Sequence, residues 1–219
     1  MDELPRRARE RLAREEAIVA AAEKVFLEKG FEEASMDEIA KEAEFTKRTL
    51  YQYFPSKESL FFAVVLRGFR KLAACLEEAG KAAKDGFHKV RDTFLAYCAF
   101  CREHPDTFKL ISRWGYVKRR AAEADGSLVD LQVFNRRMLE GLTGLLREGM
   151  ADGSIRPDLP VEATAYSLVF LVTGFLAQLS VTGESFTGQY GLDLETFCSY
   201  SIDMTLATLA PSLGNGDRR

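Results

Sequence analysis

A chain of 219 residues, 47% of them hydrophobic, can bury a proper core and hold one or two domains, which excludes a disordered or fibrous class. Its net charge of −3 argues against a uniformly basic nucleic-acid binder, so any phosphate contact has to come from cations placed locally. Four cysteines (Cys75, Cys98, Cys101 and Cys198) do not make a disulfide framework at this length, and no apolar stretch precedes a cleavage site at the N-terminus; reduced thiols and a cytoplasmic location are expected.

The cations are unevenly distributed. Arg6, Arg7, Arg9, Arg11 and Arg14 crowd the N-terminus, and no acidic residue lies between Phe45 and Lys57, where Lys47 and Arg48 fall. By contrast, no Lys or Arg occurs between Arg156 and Arg218. That asymmetry would turn the N-terminal end toward phosphates.

Residues 1–12 are polar and Arg-rich, and Pro5 discourages early helix, so a mobile arm is expected, either a plain solvated tail or one whose Arg6, Arg7 or Arg9 reaches phosphates or an adjacent minor groove. A first helix over 11–29 buries Ile18, Ala22, Val25 and Phe26 at helical period and closes at Gly30. Met36, Ile39, Ala40 and Ala43 then mark one face of a short helix, started by Ser35 with Glu38 three residues on, the pattern of a capping box. After a break at Glu44 and Phe45, Thr46 can cap a third helix. Leu50, Tyr53 and Phe54 take its inner side; Lys47, Arg48, Tyr51 and Gln52 take the outer. Two cations, a phenol and an amide on one short helix suit a major groove, where cations meet phosphates or guanine edges and an amide pairs with adenine. Pro55 stops that helix, and Ser56 can cap the next, with Lys57 in its first turn placed for a further phosphate. Spacing alone also fits a plain solvated helical hairpin.

Residues 18–62 resemble the DNA-binding domain of the TetR family of transcriptional regulators. The resemblance rests on parts in fixed order: an Ala-rich first helix ending in Phe26 and Gly30, the helix with Ser35, Glu38, Ile39 and Ala40, the run Thr46-Lys47-Arg48-Thr49-Leu50-Tyr51, then Tyr53-Phe54 and Ser56-Lys57-Glu58. It implies a helix-turn-helix over 35–54 that contacts double-stranded operator DNA through Ser35, Thr46, Lys47, Arg48, Thr49, Tyr51, Gln52 and Lys57. One departure matters: the family usually has Gly where this chain has Glu44, and a small aliphatic residue where it has Phe45. A left-handed turn would strain Glu44.

Beyond Ser56 a long helix is expected to about Lys84, apolar on more than one face through Leu60, Phe61, Val64, Val65, Phe69 and Leu72, hence buried from two directions. Helices follow over 87–104, from Pro105 through Trp114, over 127–150 after a loop around Asp125, from Pro160 to Thr182, and over 193–210; a loop spans 183–191 and the tail after Pro211 is read as disordered. No charged residue lies between Ala163 and Gly183, a length that could cross a bilayer. Its Thr164, Tyr166, Ser167, Thr173, Gln178 and Ser180, and its acidic flanks Glu162 and Glu184, speak instead for a helix packed on its own domain and on a partner. The family resemblance implies that the last two long helices form a homodimer interface.

The same resemblance implies a small-molecule effector site in the C-terminal part, and the large apolar side chains there name its candidates: Phe94, Tyr97, Cys98, Phe108, Trp114, Tyr116, Phe134, Met138, Tyr166, Phe170 and Phe175. Each of these also reads as ordinary core; a hydrophobic or aromatic ligand is the expectation. Cys98, Cys101 and His104 form a weak soft-metal or redox pattern, with core thiols the simpler account, and no metal or cofactor is expected. His88 and His104 are the two histidines, neither in a nucleophile or metal-hydrolase motif, and no Gly-rich phosphate loop appears, so catalysis is not expected. The expected protein is all-α and two-domain. Residues 1–55 form a three-helix DNA-binding head, and 56–219 form a ligand-binding, dimerising body.

Overall fold

A computed structural model of the chain describes residues 5–119 and 126–211; the expected loop at Asp125, the start of the arm and the tail after Pro211 lie outside them. Ten α-helices and no strands are found among the described residues: α1 (Arg6–Glu33), α2 (Met36–Glu42), α3 (Lys47–Tyr53), α4 (Lys57–Ala79), α5 (Gly86–Glu103), α6 (Pro105–Ile111), α7 (Trp114–Lys118), α8 (Gly126–Asp152), α9 (Val161–Tyr190) and α10 (Leu194–Leu206). They belong to two compact units. One comprises Met1–Phe69 with Asp106–Phe134, the other Arg70–Pro105 with Asn135–Arg219, whereas the sequence reading divides the chain at 55/56.

In the first unit the apolar periods read from sequence become a core. Ile18, Ala22, Val25 and Phe26 of α1 are buried with Ile39, Leu50, Phe54, Leu60, Phe61 and Val65. Phe26, Phe31 and Phe61 meet pairwise with ring centroids 5.1–5.9 Å apart, two of the three contacts edge-on, the geometry that aromatic quadrupoles favour. Helix α1 starts at Arg6, earlier than the mobile arm allows for. Pro5 occupies the cap position, where its missing N–H costs nothing, and Arg6 pairs with Glu10 one turn on at 2.7 Å. Gly30, at φ 78, breaks α1 where its closure was expected, and one further turn follows.

In the second unit the N-terminus of α5 is held by the end of α8. The N–H of Gly86 donates to Asp152 Oδ2 (2.8 Å) and that of Phe87 to Ser154 Oγ (3.0 Å), while Asp85 caps from the same chain through the N–H of His88. Helices α5 and α10 are tied by a bidentate Arg91–Asp203 pair (2.6 and 3.0 Å) and by Arg102–Glu195 (3.2 Å). Helix α9 buries Ala165, Leu168, Val172 and Leu176 at helical spacing, and its other face is apolar and open, with Phe170 74% and Val181 81% exposed. It also runs on to Tyr190, through the stretch expected to be a loop. Its segment Val161–Thr182 is long and apolar enough to cross a membrane by composition, and one face of it packs on protein.

Candidate nucleic-acid interface

The site is built outward from two caps. Ser35 Oγ accepts the N–H of Glu38 (3.3 Å), and the Glu38 carboxylate accepts both the Ser35 N–H (3.0 Å) and its hydroxyl (2.9 Å). This is the capping box the sequence announces, and it starts α2. Lys29 adds an ion pair to Glu38, so Lys29 and the Ser35 donors together hold that carboxyl at about 2. The close of α2 is a Schellman turn: the Phe45 N–H returns to Ala40 O (3.0 Å) and the Glu44 N–H to Lys41 O (3.2 Å), with Glu44 left-handed at φ 58. Thr46 Oγ1 then accepts the N–H of Thr49 (3.2 Å) and starts α3.

Helix α3 is amphipathic as expected. Leu50 and Phe54 are buried, while Lys47, Arg48, Tyr51 and Gln52 are exposed, with Tyr51 at 46% although it is a large aromatic. Two cations, a phenol and an amide therefore stand together on one outer surface, next to the hydroxyls of Thr46 and Thr49, which are 2.9 Å apart. Arg48 makes no hydrogen bond or ion pair among the described residues. Lys47 is held by Asp37 Oδ2 at 2.7 Å, and that bond raises its pKa. Asp37 was not anticipated: it lies on α2, ten residues away, and periodicity within either helix carries no signal for a pair between them.

The remaining candidates do different work in the free protein. Ser35 spends its hydroxyl on the capping box. Lys57 lies over the Phe31 ring (4.6 Å) and donates to the carbonyls of Glu32 (3.1 Å) and Ala34 (2.9 Å), closing the end of α1. Ser56 caps α4 through the N–H of Ser59 (3.0 Å).

The effector candidates do not form one group. Phe108, Trp114, Tyr116 and Phe134 lie in the first unit, and Phe94, Tyr97, Cys98, Met138, Tyr166, Phe170 and Phe175 in the second. Phe94 and Phe108 are buried; Trp114, Phe134, Met138 and Phe175 are half-buried. Tyr116 (45% exposed), Tyr166 (53%) and Phe170 (74%) face outward, so these three line no enclosed cavity in the single chain. An open groove of about 360 Å³ runs between the start of α9 and the end of α10, along Ala163, Ser167, Leu171, Met204 and Thr208; none of the candidates lines it. No three of the His, Cys, Asp and Glu side chains described are arranged to hold a metal ion, and His104 packs on Phe100 at 4.9 Å.

The sequence profile described as bacterial regulatory proteins, tetR family, matches residues 18–64, the span from the core of α1 into α4. The chain belongs to the TetR family of transcriptional regulators. It is 34% identical over 110 residues to the HTH-type transcriptional activator FasR of Mycolicibacterium smegmatis, a match covering 49% of this chain and 50% of that protein. Its fold is that of the fatty acid degradation regulator FadR of Bacillus halodurans (TM-score 0.67, 16% identity, 89% of this chain and 98% of that one). AibR in complex with isovaleryl coenzyme A and operator DNA is similar to the same degree (TM-score 0.65, 19% identity, 87% and 97%). This TetR-family chain is a DNA-binding regulator and not an enzyme.

Proposed function

We propose that the protein is a homodimeric, cytoplasmic repressor that holds a palindromic operator through α3 and releases it when a small hydrophobic or aromatic effector binds its C-terminal unit. The observation that carries the reading is the outer surface of α3. Lys47, Arg48, Tyr51 and Gln52 are displayed together there on a helix whose opposite side is core, the arrangement a major groove requires. Thr46 and Thr49 are placed for phosphates beside it, whereas Ser35 and Lys57 act mainly by fixing the ends of α1 and α2.

A dimer would set two copies of α3 about one DNA turn, roughly 34 Å, apart, so the operator should be a two-fold repeat at that spacing. The open apolar face of α9, with Tyr200 and Met204 of α10 also exposed, supports these helices as the surface where two chains meet. FadR and AibR, a regulator of fatty acid degradation and a protein bound to an acyl-coenzyme A, support an apolar effector. An effector that prefers the DNA-free conformation shifts the population toward it, and the operator is released.

The test is a mobility shift of the purified protein on DNA flanking its own gene, across a salt series and with nonspecific competitor. A discrete complex that weakens with salt is expected. Lys47→Ala or Arg48→Ala should lower affinity roughly ten- to a hundred-fold if the side chain reads a base, and less, for all sequences alike, if it touches only phosphate. A double variant that shifts the operator as well as the parent protein would refute the assignment of α3. A reporter behind the same operator gives the direction: expression should rise on deletion of the regulator, and a fall would assign activation, the direction in FasR's name.

A further inference from the structure

Three of the four cysteines meet where α5 packs on α10, and the two ion pairs flanking that contact fix its register. Cys98 lies seven residues after Arg91 and four before Arg102, while Cys198 lies five before Asp203 and three after Glu195, the respective partners of those arginines. The helices are therefore antiparallel, and Cys98 and Cys198 stand at matching heights between the two pairs. They also face each other: Cys198 shares its side of α10 with the buried Ile202 and Leu206, one and two turns on, opposite the exposed Tyr200 and Met204.

We propose that Cys98 and Cys198 are a redox-modification site, at which a hydroperoxide oxidises the two thiols to a disulfide joining α5 to α10. Cys101 is the poorer partner for Cys98. Two side chains three apart on one helix have Cβ atoms about 5–6 Å apart, more than the roughly 3.5–4.5 Å a disulfide spans. Cys198 is the attacking sulfur. The Cys98 thiol donates to it and the Arg102 cation lies nearby, both favouring its thiolate against the carboxylates of Asp193 and Glu195; burial pushes Cys101 up to about 12 and keeps it protonated.

In the first step the Cys198 thiolate attacks the outer peroxide oxygen. The O–O bond breaks, Cys198 becomes a sulfenic acid, and the leaving oxygen takes a proton as alcohol, or as water from hydrogen peroxide. In the second, Cys98 gives up its proton and its sulfur attacks Cys198. The S–O bond breaks, hydroxide leaves as water, and the S–S bond forms. Two thiols lose two electrons and two protons in all, and the peroxide gains them. A thiol-reducing cytosol would reverse the bond, as suits a sensor rather than a structural bridge.

The experiment uses the full chain carrying Cys75→Ser, which removes the exposed thiol on α4 that could link separate molecules and leaves three. Hydrogen peroxide in excess should lower the titratable thiols from three to one, and dithiothreitol should restore them. Digestion after aromatic residues, which cuts between Cys98 and Cys101 at Phe100, should yield Cys198 linked to Cys98. Adding Cys101→Ser should leave that link in place, and adding Cys98→Ser or Cys198→Ser should abolish it. Three thiols still free after peroxide, a link through Cys101, or a sulfinate at Cys198 with no link would each overturn the proposal. The linkage map needs no variant at either site, so a folding defect in one cannot mask the answer.

Discussion

Glu44 occupies a backbone position that suits glycine. The Schellman turn that closes α2 needs a left-handed residue after the helix, and Glu44 takes it at φ 58 because the two returning bonds to Ala40 and Lys41 leave no other course. A side chain in that region costs of order 1 kcal/mol or more. Glu44→Gly should therefore stabilise the fold by up to about 1 kcal/mol once glycine's greater freedom in the unfolded chain is set against the relief. Denaturant unfolding reads this, and a loss of stability would show that the Glu44 side chain contributes more than its strain. Six residues upstream, Glu38 gives a pH dependence. Its folded pKa of about 2 lies below the ordinary 4.5, so its contribution is complete above about pH 4.5 and is lost as pH falls from there toward 2. Glu38→Gln should flatten the acid limb of the stability profile over that window and leave the neutral plateau's shape unchanged. These caps were legible because each is a local pattern of hydroxyl and carboxylate at fixed spacing. The Lys47–Asp37 pair and the carbonyl-binding role of Lys57 were not, since both join separate helices.

Helix ends show where reading by breakers fails. Pro5 discourages a helix before it but not after it, so α1 begins at Arg6; α9 continues past Gly183 and Gly188 to Tyr190, because a glycine inside a helix costs only about 1 kcal/mol and does not terminate it. The elements among the described residues are all helical, and most followed from apolar period and hydroxyl or aspartate caps, although the helix expected from Pro105 through Trp114 divides into α6 and α7 and α4 stops at Ala79 rather than Lys84. What period could not reveal is a close crossing. A Cβ on Gly86 would stand 2.2 Å from the Gly149 N and 2.3 Å from its Cα, so the start of α5 meets the end of α8 backbone to backbone. Asp152 and Ser154 can reach the first amides of α5 only at that distance. Gly86→Ala is expected to force the helices apart and cost about 1–3 kcal/mol, as overpacking does. Its thermal midpoint should drop by several degrees, whereas Gly115→Ala, which meets nothing within 4 Å, should leave the packing undisturbed. Equal midpoints for the two variants would mean that α5 and α8 can separate freely.

At the scale of the molecule, the exposed outer side of α3 proposed to read DNA was legible because it lies within one short stretch of chain, while the placement of the effector candidates was not. Large apolar side chains look alike in sequence whether they fill a core, line a cavity or face a partner, and Phe170 and Tyr166 prove to face outward. Their exposure is itself informative about assembly. Helix α9 already buries Ala165, Leu168, Val172 and Leu176, so a charge at Phe170 removes nothing from the fold of its own chain. In a dimer meeting through α9 and α10 the same charge would be desolvated without a partner, which costs far more than an interface of this kind can absorb. Phe170→Glu should therefore stay folded, with its thermal midpoint lowered only by the lost association, and sediment as a single chain of 24.6 kDa, where the parent should sediment at twice that mass. Operator affinity should fall with it, because two half-sites are then bound by independent heads rather than one joined pair. Sedimentation at micromolar concentration separates the alternatives: a variant that stays dimeric would place the interface elsewhere on the chain, and a parent that is monomeric would remove the two-fold operator from the proposed function.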